Sequence, residues 1–209
     1  QVDLLNDVTD SLALTSLDTA AELQTIGSIV ARVMTVAAGG SASPALTVAD
    51  FTALGISNVT SASLGVLLNL IDQTANDGSG VDSLAELQAL ANTAQASAAM
   101  SAALSTIQNY NGTNTAPTSA DYATAGVTGV TGLNLAAINA YVAVLSSAAT
   151  DTAPEVQAVV DAYAALIALA DGQANSGTAL NSAQYAALGA TSLDTAAELA
   201  LANSLLDSM

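Results

Sequence analysis

The residues of this chain best placed to do chemistry are acidic side chains set one helical turn apart. Asp18/Glu22, Asp82/Glu86 and Asp151/Glu155 each present two carboxylates four residues apart, the raw material for general acid–base work. A simpler role already accounts for the glutamates. In Thr19/Glu22, Ser83/Glu86 and Thr152/Glu155 a hydroxyl is followed three residues later by a carboxylate. That is a capping box, in which the two side chains satisfy free N–H groups at a helix start. Thr195/Glu198 writes the box again. The chain has neither His nor Cys, which removes nucleophilic triads, thiolate chemistry and most metal ligation. No glycine-rich phosphate motif follows a strand. No catalytic, cofactor-binding or metal-ligating residue is therefore assigned, and the chain is read as a non-enzyme.

Calcium is the one cofactor left open. The stretch from Asp72 through Asn76, Asp77 and Gly78 to Asp82 gathers oxygen ligands before a helix. An EF-hand register from Asp72 fails, because position six is Asp77 and position twelve is Ser83; a solvated loop is the preferred reading. Phe51, Tyr122 and Tyr185 recur at one position of a repeated string, and that regularity favours a core anchor over a ligand platform. The single basic residue, Arg32, is expected on the surface or in an ion pair. Asn58-Val59-Thr60 and Asn111-Gly112-Thr113 match the glycosylation sequon, a triplet that also arises by chance.

Composition narrows the partners. Eighteen acidic residues against one basic give a net charge of −17. Neutralising nucleic-acid phosphates takes Lys or Arg, so nucleic acid is excluded as a partner; an anionic membrane surface would repel the chain for the same reason. No run reaches the roughly 18 apolar residues needed to cross a bilayer, so no membrane insertion is expected. The first residues, Gln1-Val2-Asp3, carry no signal pattern and read as the start of a mature or excised segment.

The elements that position these residues repeat. Asp18, Asp82 and Asp151 open similar strings 64 and 69 residues apart. A second string precedes a short helix: Thr47 to Gly55, Thr118 to Gly126 and Asn181 to Gly189. Each begins with a capping residue, carries one aromatic, and closes on a glycine suited to a C-cap. A further helix is expected from Thr60 and from Thr131. Leu64, Leu67, Leu68 and Ile71 follow helical spacing, as do Leu135, Ile138, Val142 and Leu145. Leu23, Ile26, Val30, Val33 and Met34 form another stripe, matched by Val156, Val159, Val160, Tyr163 and Ile167. Turn-rich links at 39–44, 109–117 and 171–177 separate long helices from short ones.

The expected fold is all-α: tandem three-helix-bundle repeats of about 65–70 residues in an elongated array, each with a short, a medium and a long helix of about 20–28 residues. The divisions are an N-terminal partial unit with a long helix (1–46), complete units at 47–109 and 110–172, and a C-terminal partial unit of two helices (173–209). The long helix near 16–38 lacks its pair, and the final pair lacks its long helix. Either the chain is a window on a longer tandem array, or one copy's first helix completes the next copy's last pair in a head-to-tail filament.

The pattern Ala-Asp-Tyr/Phe (Ala49-Asp50-Phe51, Ala120-Asp121-Tyr122) with the later Asp-Thr/Ser-x-x-Glu strings resembles the Ala/Thr-rich helical repeats of very large bacterial cell-surface proteins, adhesin-like or surface-layer-like. The resemblance covers most of residues 16–199 and implies an extracellular or cell-surface structural array. More loosely, Leu54 to Leu90 is similar to the three-helix albumin-binding modules of bacterial surface proteins. Those are Lys-rich and this chain has no Lys, so no binding residues carry over. The expected function is a secreted spacer, stalk or self-assembling filament whose partner is itself or a neighbouring repeat. The alternative is an adhesin-type module that captures a host or matrix protein through an exposed helix face.

Overall fold

The computed structural model describes residues 2–13, 18–173 and 177–209. Among these every regular element is helical: α1 Val2–Ser11, α2 Ala20–Ala37, α3 Val48–Ala53, α4 Leu64–Asp72, α5 Leu84–Gln108, α6 Ser119–Thr124, α7 Leu135–Val142, a 3-10 turn Ser147–Ala149, α8 Ala153–Leu169, α9 Ser182–Ala187 and α10 Ala196–Asp207. The chain divides into two compact units, Gln1–Ala98 and Ala99–Met209, and the division falls inside α5. The sequence-based divisions at 46/47, 109/110 and 172/173 partition repeats of sequence and are a different cut of the chain.

Long-helix starts are set by capping, as the hydroxyl–carboxylate spacing predicts, whereas α4 and α7 begin without a side-chain cap. In α2 the Thr19 amide donates to Glu22 Oε2 at 3.0 Å and the Glu22 amide donates back to Thr19 Oγ1 at 3.2 Å. The same reciprocal pair opens α5 (Ser83/Glu86), α8 (Thr152/Glu155) and α10 (Thr195/Glu198). The short helices use it too, through Thr47/Asp50, Thr118/Asp121 and Asn181/Gln184. Each short helix ends alike. Gly55, Gly126 and Gly189 take φ of 83°, 85° and 88°. The next amide, of Ile56, Val127 or Ala190, returns to the carbonyl of Phe51, Tyr122 or Tyr185 at 2.9 Å. That six-to-one bond is the Schellman closure, and it requires a left-handed residue that glycine adopts without penalty.

In the first unit α1 and α4 pack on α2, and Leu4, Val8, Ile29, Val30, Val33, Phe51, Leu67, Ile71 and Leu87 are buried in one cluster. Arg32 of α2 lies inside this arrangement. Its guanidinium grips Asp50 at 2.6 and 3.2 Å and reaches the carbonyls of Pro44 and Ala45, tying α3 to α2 as an ion pair. In the second unit α7, α9 and α10 pack on α8. One cluster surrounds Tyr122 with Ile138, Val142 and Val156; another holds Tyr185 with Val159, Leu169 and Leu180. The three recurring aromatics are thus all buried.

Several expectations are corrected. The helix α1 is not foreshadowed by any repeated string. It buries Leu4 and Val8, and its Asp7 accepts the Leu84 amide at 2.6 Å, capping α5 from outside. The helices expected from Thr60 and Thr131 begin four residues later. Thr60 with Ser63, and Thr131 with Asn134, close a turn before α4 and α7. Two of the long helices are shorter than 20 residues: α2 has 18 and α8 has 17, against 25 for α5. Leu23 and Ile167, placed on apolar stripes, are 47% and 51% exposed. The long helix expected from about residue 16 begins at Ala20 after the Thr19 cap; residues 16–17 and the middle of the 171–177 link lie outside the described residues.

Candidate functional site

The most specific recurring geometry is a junction between a long helix and the turn that follows a short one. In the first unit Gln88 of α5 holds Ser57 at both ends of its backbone. The Ser57 amide donates to Gln88 Oε1 at 2.9 Å, and Gln88 Nε2 donates to the Ser57 carbonyl at 3.0 Å. In the second unit Gln157 of α8 does the same to Thr128, at 2.8 and 3.3 Å. Each glutamine also braces the residue four further on: Gln88 donates to Asn92, Gln157 to Asp161. Both glutamines stand five residues after the capping hydroxyl, and both turn residues stand two after the left-handed glycine. A primary amide matches a peptide group donor to acceptor and acceptor to donor, which is why glutamine suits the position.

The neighbours of each clamp belong to one buried apolar cluster, Ile56 with Leu87 in the first unit and Val127 with Val156 in the second. Ile56 and Val127 are buried, and so are Leu87 and Val156 beside the glutamines. Further along, Asn58 Nδ2 donates to Asn92 Oδ1 at 3.1 Å and Thr60 Oγ1 to Gln95.

Among the described residues each half of this junction also occurs once without its mate. On α2, Gln24 stands five residues after Thr19; it and its neighbour Leu23 are exposed. An open groove of about 450 Å³ runs along Ala21, Gln24, Thr25, Ser28 and Arg32. After α9, Thr191 stands two residues after Gly189, and Ala190 and Thr191 are exposed. This third turn also differs in shape. Asn58 and Gly129 are left-handed (φ 62° and 82°), whereas Ser192 in the matching place is not.

The acidic pairs behave as caps. Hydrogen bonds from the capping hydroxyl hold Glu22, Glu86, Glu155 and Glu198 below the ordinary glutamate value of 4.5. Asp82 and Asp151 are pushed up, chiefly by hydrogen bonding to Glu86 and Glu155 and then by their charge. Asp50 is held down overall: desolvation pushes it up, and hydrogen bonds from Arg32 and Thr47 outweigh that. In the 72–82 loop, Asp72, Asn76 and Asp77 are exposed and Asp77 Oδ1 accepts the Ser79 amide at 3.0 Å. Among the described residues no three acidic side chains converge closely enough to hold a metal ion, and no helix is long and apolar enough to cross a membrane. Of the two sequons, Asn58 is engaged through its amide nitrogen by Asn92, while Asn111 lies in an exposed turn and accepts from the Thr113 amide and hydroxyl.

No protein-family model, curated protein or solved structure matches the chain.

The clamp glutamines all lie in strings legible as repeats, yet helical periodicity does not report a polar residue of this kind. The signal that marks them is the fixed fifth place after the capping hydroxyl, paired with a turn some thirty residues earlier.

Proposed function

We propose that the chain is a non-enzymatic structural repeat protein of the bacterial exterior, built of tandem three-helix units and serving as a spacer, stalk or self-assembling filament. The observation that carries this reading is the clamp that Gln88 makes with Ser57 and Gln157 makes with Thr128. One polar junction made twice, at matching places in the sequence, supports a chain assembled from recurring units. The side chains put to work are caps, clamps and core anchors. The net charge of −17 favours solubility and opposes indiscriminate aggregation, so copies would join only through specific contacts with the like charges screened by salt.

A second reading is an adhesin-type module. Leu201, Leu205 and Met209 stand exposed at four-residue intervals along and just beyond α10, and apolar stripes of this kind mark protein contacts.

Localisation tests the proposal. An antibody against the chain should label intact cells of the source bacterium, and the label should vanish after proteinase K treatment that leaves a cytoplasmic marker whole. Signal confined to lysed cells would reject an exterior role.

A further inference from the structure

We propose that the exposed face of α2 at Leu23, Gln24 and Ser28 receives the Gly189–Ser192 turn of a second copy of this chain, with Gln24 clamping Thr191 as Gln88 clamps Ser57. The inference rests on the repeat reading above and names the surfaces through which copies would join.

The occupant is specified by what the chain does twice within itself. A glutamine five residues after a capping hydroxyl meets the residue two places after a left-handed glycine, and the Leu or Val beside the glutamine is buried in the same cluster as the intervening residue. Gln24 with Leu23 is the helix half of that junction, and Ala190 with Thr191 is the turn half; each is solvent-exposed. Leu87 and Val156 are fully buried where Leu23 is 47% exposed, so the same contact would bury an apolar side chain and satisfy a peptide group in one step. On docking, Ser192 takes the left-handed turn that Asn58 and Gly129 take in the closed junctions. The contact is heterologous, helix face to turn, and so each copy offers one of each and the chain of copies propagates.

Because the protein has no cysteine, thiol crosslinking reads the contact without background. Asn58 and Asn92 touch across the closed junction, and Ser192 and Ser28 are their counterparts across the proposed one. The full chain carrying Ser28→Cys and Ser192→Cys, treated with a short bismaleimide in about 0.15 M salt to screen like charges, should give a ladder of covalent multimers. Each single-cysteine variant should stop at dimer. Adding Gln24→Ala to the double-cysteine chain should cut ladder formation about tenfold. Asn58→Cys/Asn92→Cys is the control and should give an internal link within one chain. The internal link without a ladder would overturn the contact between copies while the spacer reading stands. Loss of the internal link as well would overturn the recurring junction on which both rest. A ladder indifferent to Gln24→Ala would overturn the clamp.

Discussion

The hydroxyl of Tyr122 donates to Asn139 Oδ1 at 2.7 Å, both side chains being buried, and Asn139 Nδ2 passes the bond on to the Pro117 carbonyl at 2.9 Å. Tyr185 and Asn203 repeat the pair at 3.0 Å, with the Leu180 carbonyl as the far acceptor. In the first unit the aromatic is Phe51 and the position seventeen residues on is Leu68, half-buried in the same cluster. Tyrosine goes with asparagine and phenylalanine with leucine, because a buried hydroxyl needs an acceptor and a ring without one does not.

That pairing gives a double-mutant test. Asn139→Leu alone strands the Tyr122 hydroxyl and should cost about 1–3 kcal/mol. Tyr122→Phe together with Asn139→Leu recreates the Phe51/Leu68 pair and should recover most of the loss. Urea unfolding of the four chains measures the coupling, and additive losses would show that the two side chains act independently.

The Arg32–Asp50 pair is mostly buried, with 14% and 16% of the side chains exposed. Arg32→Leu should destabilise by about 1.5–3 kcal/mol, the range for hydrogen bonds to charged groups, read as a lower urea midpoint at unchanged slope. Asp121, the counterpart of Asp50, meets no arginine, since Arg32 is the only basic residue. Asp121→Asn should therefore cost only part of a cap.

Gly55 and Gly126 are left-handed, and nothing lies within 4 Å of the place a β-carbon would occupy at either. Replacing either with Ala should thus cost only the backbone penalty, about 1–2 kcal/mol, with no repacking visible by crystallography. A larger loss would mean the turn is held by contacts beyond the Schellman closure.

Acid should act through the caps. The folded-state values of Glu22, Glu86, Glu155 and Glu198 are depressed. Their stabilisation is full above the unfolded glutamate value and is lost as pH falls through the lower folded value. Asp82 and Asp151 are raised and act in the opposite sense, so protonating them relieves repulsion first. Glu86→Gln with Glu155→Gln preserves the capping geometry, because glutamine serves in the box. Thermal melts of this variant between pH 6 and about pH 3 should be flatter than those of the parent chain; an unchanged acid limb would show that the caps do not govern acid sensitivity.

How much of this is legible in the sequence follows from what periodicity and capping can report. The boxes at Thr19, Ser83, Thr152 and Thr195 and the closing glycines are readable because each depends on a few adjacent residues. The helix α1 is not, since Leu4 and Val8 make too short a stripe and no box precedes them. Leu23 fits an apolar stripe as well as Leu87 does, and only the presence of a packed turn separates them. In α5 the buried residues are Leu87, Ala91 and Ala94, then Ala103 and Ile107. The step of nine is two and a half turns, so no single stripe runs the length of the helix. Thr60 and Thr131 carry the look of helix starts but close turns, because the hydroxyl–acceptor box serves either.

Amide hydrogen exchange at Ser57, Thr128 and Thr191, followed by NMR at a dilution where the chain is monomeric, probes the recurring junction at its three turns. Ser57 and Thr128 should be strongly protected, with protection lost on Gln88→Ala and Gln157→Ala respectively, while Thr191 exchanges close to the unstructured rate. Equal protection at all three amides, or protection at Ser57 and Thr128 that survives loss of the glutamines, would contradict the clamp.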